Sequence, residues 1–389
     1  MNTYTEAARD IPVAGEYDVI VAGSGPAGVS AAVMAGRLGA KVLLIEWANS
    51  VGGISTSGLM SHWTGTVTSP LYTEILTRMA EKNEGEDKGK IVPQINPENL
   101  KAVYLEMLAD AGVKILLYTF ACGVIMDNNR VAGIITESKS GRRAFLGKVF
   151  VDGTGDGDVA AFAGAEYTMG RESDGKMQPC TLMFKVAGVD MSRAVLLGSF
   201  ESTYQTEKGE LQALAKEHIP YPAGHLLVYK STLPGIVTCN MTNCTDIDGT
   251  SAEDLTRAEL VCRSQMPAIV KYLREFVPGF ENCYIISAAS LMGVRETRHF
   301  KGLYTLCEDD ILTARQFDDW VVRGAHFNFD VHNLTGAGLD KTGVQHKWKQ
   351  PNGNTIPYGC LIPERVDGLI LSGRNISGTH IAHSNYRVM

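Results

Sequence analysis

The sequence predicts an α/β protein built on a parallel sheet covered by helices, and three glycine-marked stretches predict it. Tyr17-Asp-Val-Ile-Val-Ala22 is an apolar run suited to a buried parallel strand, and Gly23-Ser-Gly-Pro-Ala-Gly28 follows it at once. Val51-Gly-Gly-Ile-Ser-Thr-Ser-Gly58 is a second glycine turn, and Val151-Asp-Gly-Thr-Gly-Asp-Gly-Asp158 is a third.

Each element of the first stretch has a local cause. Val29 to Leu38 is Ala-rich and interrupted only by Gly36, which reads as a helix, and Gly39 is placed to end it. Lys41-Val-Leu-Leu-Ile-Glu46 reads as the next strand and ends in an acid. Strand, glycine turn, helix, strand and acid form a Rossmann-like unit. Gly23 permits the tight turn, Gly25 lets the backbone approach a pyrophosphate, and Gly28 lets the helix pack close to the sheet. Free N–H groups and the positive end of the helix dipole suit phosphates. Glu46, 18 residues beyond Gly28, can accept hydrogen bonds from an adenosine ribose and would repel a 2′-phosphate. A lone glycine triad is weak evidence. Here strand, helix and acid fall in register, which favours a dinucleotide site over an accidental glycine-rich loop. The motif does not by itself separate FAD from NAD. The second glycine turn favours FAD, because NAD-dependent dehydrogenases usually continue into another helix at that point.

Composition excludes several classes. The chain has 389 residues, 44% hydrophobic and 20% charged, too apolar for a disordered chain. The net charge of −7 argues against a nucleic-acid surface, which needs clustered Lys and Arg. No run of 18 apolar residues predicts a membrane span, and Met1 to Gly15 has no signal-peptide core, so a cytoplasmic protein is expected. Eight cysteines lie at 122, 180, 239, 244, 262, 283, 307 and 360, with no Cys-x-x-Cys pair. They read as reduced, packed thiols, and no metal site is expected.

At this point the sequence resembles the FAD-dependent oxidoreductases of the glutathione-reductase structural class. More narrowly, it is similar to a bacterial FAD-dependent oxidoreductase family without an assigned substrate. Besides the three glycine stretches, the resemblance rests on Gly293-Val-Arg-Glu-Thr-Arg298, Ile356-Pro-Tyr-Gly-Cys-Leu-Ile-Pro363, Gly368-Leu-Ile-Leu-Ser-Gly-Arg-Asn-Ile-Ser377 and Arg387-Val-Met389. It implies a discontinuous FAD-binding domain, residues 1–170 and 346–389, with an inserted α+β substrate domain at 171–345. It implies FAD contacts at Gly23, Gly25, Pro26, Ala27, Gly28, Glu46, Gly52, Gly53, Ser55 and Thr56. Ala121 would touch the adenine through its backbone. Gly153, Thr154, Gly155 and Asp156 would lie beside the adenosine and pyrophosphate. Gly373, Arg374 and Asn375 would lie by the ribityl or pyrophosphate chain. Turn-making and helix capping compete as roles for Asp156 and Asp158.

The remaining elements follow from local signals. Leu71 to Glu84 reads as a helix and Glu84 to Lys90 as a solvated loop. Asn96-Pro97 reads as an N-cap and first helical residue, the helix running to about Asp110. Ile115–Tyr118 and Val131–Thr136 read as strands of a β-meander, and Lys148–Asp152 as the strand returning to the cofactor. The inserted part reads as strands at Thr181–Val186 and Tyr284–Ser287 and helices at Ala252–Leu260 and Ile269–Glu275.

Flavin oxidation needs a proton route beside the ring, so His, Tyr and Arg are the candidates. Arg295 and Arg298 flank Glu296 and suit a bidentate clamp on a carboxylate or polyol; an internal ion pair is the competing role. His380 and His383 would share a helical face and suit proton transfer; they could also suit a metal, but no third ligand is evident nearby. His62 follows the second glycine turn and suits a base or a covalent flavin link, against a plain interface role. Tyr358 could close over the ring or simply shape a turn.

In the resembling family, residues 387–389 lead into a long helix that lies beyond the given sequence; a shortened chain is expected, with a helix supplied by a second subunit or a departure from the family pattern as the alternatives. The predicted function is FAD-dependent hydride transfer with a small polar organic substrate, with homo-oligomerisation open. An NAD dehydrogenase, a flavin monooxygenase and a redox-inactive binding protein of the same fold are the alternatives.

Overall fold

The computed structural model describes residues 3–339 and 353–387. The expected boundary at 345–346 and residues Val388 and Met389 lie outside them.

The central sheet begins with β1 (Val13–Ala22), α1 (Pro26–Arg37) and β2 (Val42–Ile45). Then come α2 (Pro70–Lys82), α3 (Pro97–Asp110) and β3 (Lys114–Leu116). Next are β4 (Thr119–Asp127), β5 (Arg130–Ser138) and β6 (Arg143–Asp152). The strand order is β3-β2-β1-β6-β5-β4, with β17 (Leu369–Leu371) joining β6 in parallel. β1, β2, β3, β6 and β17 pair in parallel, while β4-β5-β6 is an antiparallel meander. The expected meander strand at Ile115–Tyr118 is therefore corrected. Its first residues extend the parallel edge, because Ile115 and Leu116 pair with Leu44 and Ile45. Tyr118 then takes a positive φ of 53°, which turns the chain into β4.

Local chemistry explains the helices. Ser69 caps α2 through Tyr72 N and Asn96 caps α3 through Glu98 N and Asn99 N, each followed by proline at the first helical position. α1 and α3 bury Val29, Val33, Leu100, Val103 and Tyr104 against one face of the sheet.

The middle of the chain begins with α4 (Asp158–Phe162), β7 (Tyr167–Met169) and β8 (Phe184–Ala187). A small hairpin, β9 (Gln205–Thr206) and β10 (Gly209–Glu210), precedes α5 (Leu211–His218). β11 (Val228–Lys230), β12 (Val237–Cys239), α6 (Ala252–Phe276) and β13 (Tyr284–Ala288) follow. A four-stranded sheet β11-β12-β8-β13 packs with α5 and α6 around its own core of Phe184, Val186, Leu211, Ile269 and Phe280. The two expected helices at 252–260 and 269–275 are one 25-residue helix running through Pro267. Met266, Ile269, Val270 and Leu273 are buried on one side, and this packing outweighs the hydrogen bond that proline forfeits.

The chain returns through β14 (Arg298–Phe300), α7 (Glu308–Leu312), β15 (Trp320–Ala325), β16 (Asn354–Pro357), β17 and α8 (His380–Tyr386). β14 pairs with β7, and Phe300, Leu306, Ile311 and Phe329 share a core with Ile20, Phe145 and Phe150. These residues fall within the stretch 171–345 expected as inserted, yet they pack on the central sheet. No helix among the described residues is long and apolar enough to cross a membrane.

Candidate functional site

The glycine stretches converge at the carboxyl ends of β1, β6 and β17. Gly28 has no room for a side chain: a Cβ there would stand 1.9 Å from Gly23 O. Gly23 adopts φ +88° and its absent Cβ would meet Gly153 O at 2.3 Å. A Cβ on Gly53 would come within 3.0 Å of Gly25 Cα, and one on Gly373 within 3.0 Å of the Ala27 Cβ. Backbone bonds lock the stretches together: Gly52 N donates to Ser24 O at 2.7 Å, Gly153 N to Ala22 O at 2.8 Å and Ser372 N to Asp152 O at 2.9 Å. Asn375 Nδ2 donates to the same Asp152 oxygen at 3.0 Å.

One glycine behaves differently. A Cβ on Gly25 would meet nothing within 4 Å. Gly25 is the N-cap of α1, which has no side-chain cap, no acid in its first turn and Pro26 at its start. The arrangement leaves open space in front of a helix N-terminus, which is the room and polarity that a pyrophosphate needs. The residues present fit the dinucleotide.

Several expected contacts are already committed within the protein. Glu46 Oε2 accepts from both the N–H and the hydroxyl of Ser24, each at 2.7 Å, while Oε1 accepts from Ala48 N at 2.8 Å. Ser55 Oγ donates to Gly52 O at 2.6 Å and Thr56 Oγ1 to Val51 O at 2.7 Å, so both hydroxyls shape the second turn and face inward. Arg374 pairs with Asp156 at 2.5 Å, donates to Gly155 O at 2.9 Å and also bonds Val294 O. Thr297 Oγ1 occupies the same Asp156 oxygen at 2.7 Å. The side chains of Arg374 and Asp156 thus brace the third turn against residues 294–297, and both were expected to face the cofactor. Thr154 bonds Asp152, and Ala121 lies on β4 two residues beyond Thr119, whose N–H reaches Glu46 O at 3.0 Å. Asp152 itself was not singled out. It is buried, accepts from Thr154 and from Ala160 N, and burial raises its pKa to about 6.

The two-arginine clamp does not form, because Arg295 and Arg298 diverge, and Arg298 takes the competing role of an internal ion pair. Arg298 bonds Asp158 Oδ1 and Asp156 O, each at 2.8 Å. Arg295 bonds Pro179 O at 2.5 Å and Thr181 Oγ1 at 2.8 Å. Burial pushes the Arg295 pKa down to about 10, although part of its surface stays open to solvent. Its charge is felt by Asp330, Arg387 and Tyr229. Asp330 is itself bonded by Arg387 at 2.9 Å and His332 at 3.2 Å. Phe200 packs between the rings of His332 and His225, with centroids 5.4 and 4.9 Å away. Burial lowers both histidines to about 4, so they are neutral at pH 7. Tyr229 also packs on His62, the centroids 4.7 Å apart. His62 Nδ1 lies 2.8 Å from Ser61 Oγ, and burial lowers its pKa. These residues form a polar cluster joining Tyr229 of β11, His62 beyond the second glycine turn, and residues 330–332. His225, Tyr229, Asp330 and His332 carry no local motif, and only their assembly marks them.

His380 and His383 both lie on α8, as expected, but they part in role. His380 Nδ1 stands 2.5 Å from Glu296 Oε1. His383 is buried, its ring edge on His299 at 5.0 Å, and its Nδ1 has no partner among the described residues. Burial holds it well below its ordinary pKa. Tyr358 is exposed on a turn, its N–H bonded to Asp319 O.

The family profile described as FAD dependent oxidoreductase matches residues 18–389. A digeranylgeranylglycerophospholipid reductase of Methanococcoides burtonii is 25% identical over 199 residues, 46% of this chain and 47% of that one. A thiamine thiazole synthase of Sulfolobus acidocaldarius is 33% identical over 159 residues, 38% of this chain and 59% of that one. The chain thus spans about half the length of the curated relatives it matches. Among solved structures, a geranylgeranyl bacteriochlorophyll reductase-like protein of Thermoplasma acidophilum aligns at TM-score 0.46 and 16% identity, over 75% of this chain and 68% of that one.

Proposed function

The chain belongs to the FAD-dependent oxidoreductase family, and from that premise we propose that it moves a hydride between FAD and a small organic anion held by Arg295. The glycine turns at 23–28, 52–53 and 153–155 would hold the dinucleotide through backbone N–H groups, with the α1 N-terminus on the pyrophosphate. When bound, FAD supplies the two-electron chemistry by taking or giving the hydride at its ring.

The observation that carries the substrate class is the charge of Arg295. Among the described residues no carboxylate bonds it. Asp330, the acid whose charge acts on it, is bonded by Arg387 and His332. His225 and His332 are neutral, and Asp330, the carboxylate acting on Arg295, is shared with Arg387. An uncompensated buried cation is costly, and a substrate carboxylate bound by the guanidinium would balance it. Arg295 therefore binds and orients the substrate. His62 is the best-placed base: lowered by burial, it is neutral at pH 7. In the tautomer that donates Nδ1–H to Ser61 Oγ, Nε2 keeps its lone pair for the substrate's proton.

The test is anaerobic reduction of the FAD-loaded protein by a panel of hydroxy acids and amino acids beside their neutral esters and amides. Acids are expected to bleach the flavin and their neutral analogues to fail. Equal bleaching by neutral analogues would overturn the anion reading.

A further inference from the structure

Glu296 stands between two arginines in sequence, yet neither bonds it. Arg295 turns to Pro179 and Thr181, and Arg298 to Asp158 and Asp156. The Glu296 carboxylate is 1% exposed and needs a counter-charge. It meets two imidazoles instead: His299 Nε2 at 2.7 Å and His380 Nδ1 at 2.5 Å, both on Oε1. Glu296 Oε2 is held by Gln178 N at 2.9 Å.

The outer partners are those of a ligand set. His299 Nδ1 lies 3.1 Å from Gly378 O, so that nitrogen is the donor; in the tautomer whose one ring proton sits there, the lone pair of Nε2 points toward Glu296. A lone pair facing a carboxylate is unfavourable unless a proton or a cation sits between them. An imidazole fixed by donating its second N–H to a backbone carbonyl is the usual arrangement of a metal-binding histidine. The three ligand atoms lie within 4.8 Å of one another. His380 retains a partly exposed side chain, which leaves a route to the site. The ring of His383 packs edge-on against His299 and does not join the set.

We propose that Glu296, His299 and His380 bind one divalent first-row transition cation through one carboxylate oxygen and two imidazole nitrogens. Two imidazoles and a carboxylate with further positions open suit Zn²⁺, Co²⁺ or Fe²⁺ over Mg²⁺ or Ca²⁺, which prefer oxygen. Ligand atoms around such an ion stand roughly 3 Å apart, so binding requires the two histidine contacts to open by a few tenths of an ångström. The set uses none of the side chains assigned to the substrate, and its test does not depend on the substrate.

The experiment loads the full-length, FAD-containing protein with Co²⁺ or Zn²⁺ after chelator treatment and measures bound metal by mass spectrometry. X-ray absorption at the metal edge then reads the ligands. One equivalent per chain with two imidazole nitrogens is expected. H299Q and H380Q should each weaken binding at least ~100-fold, with unchanged far-UV circular dichroism; loss of a mere outer partner typically costs 10–100-fold. Only a small fraction of an equivalent in folded wild-type protein for Co²⁺, Zn²⁺ and Fe²⁺ would overturn the proposal, leaving an imidazolium–carboxylate pair. Stoichiometric metal that survives both substitutions would overturn it as well. If either variant fails to fold, the wild-type absorption spectrum still decides, because a site elsewhere would not show this donor set.

Discussion

Glu46 grips Ser24 twice, through its backbone N–H and its hydroxyl, each 2.7 Å from the same carboxylate oxygen. Both residues are buried, and 22 positions separate them. The acid at the end of β2 therefore holds the shape of the first glycine turn. Hydrogen bonds to charged groups are worth about 1.5–3 kcal/mol each. Glu46→Gln is expected to destabilise the protein by roughly 2 kcal/mol and to weaken FAD binding, whereas Ser24→Ala, which keeps the backbone bond, costs about 1 kcal/mol. Denaturant melts and FAD titration measure both; a Glu46→Gln protein as stable as wild type would contradict the clamp.

Gly25→Ala and Gly28→Ala separate cofactor room from fold. Gly25 faces open space and Gly28 faces Gly23 O at 1.9 Å. Gly25→Ala should leave apo-protein stability within ~0.5 kcal/mol and lower FAD affinity tenfold or more. Gly28→Ala should destabilise the apo-protein itself by about 1–3 kcal/mol, because backbone must move. Titrating FAD into the Gly25→Ala protein with wild-type affinity would place the pyrophosphate elsewhere.

Arg295→Ala should lower kcat/KM for an acidic substrate by roughly 100-fold, about 3 kcal/mol, with a smaller effect on a neutral analogue. Arg295→Lys should recover only part, since the ammonium lacks the planar fork. Steady-state kinetics on the acid–amide pair reads the difference.

Burial keeps His62 neutral below its ordinary pKa of 6.5. As a base it stays competent while neutral, so the acid limb of kcat/KM should fall below pH 6.5. A limb above pH 6.5 would remove His62 from that role. His62→Gln should abolish the limb and lower the rate by about 10²–10⁴-fold.

Stability should follow the same histidines. His225 and His332 are held at about 4 against 6.5 for the exposed group. Above pH 6.5 both states are neutral and the stability is fully present. As pH falls from 6.5 toward 4 the unfolded chain takes up protons that the folded chain refuses, and stability is lost. Thermal melts across that window should show a falling Tm, and a His332→Gln protein should show a shallower fall.

Much of the fold was legible in local residues. The strand at 17–22, the glycine turn, α1, the helix α2 and the N-cap of α3 depend on neighbours a few positions away, and each formed near its expected place. Local signals misled where packing overruled them. Pro267 suggested a break that the buried face of α6 spans, and Ile115 joined a parallel edge because β2 lay open beside it. Of the site, the glycine cradle was readable because backbone approach demands glycine at named positions. The side chains of Arg374 and Asp156 were not readable, since each had a partner more than 200 positions away.

By itself the sequence determined the glycine turns and the helix start at Pro26, because a turn, a helix N-terminus and a missing Cβ are properties of contiguous residues. Tertiary structure alone decided which side chains meet. Arg295 and Arg298 share a motif yet face different partners, and Glu296 reaches His380 across 84 positions. Side-chain direction and long-range closure set those contacts, and neither is written in spacing along the chain.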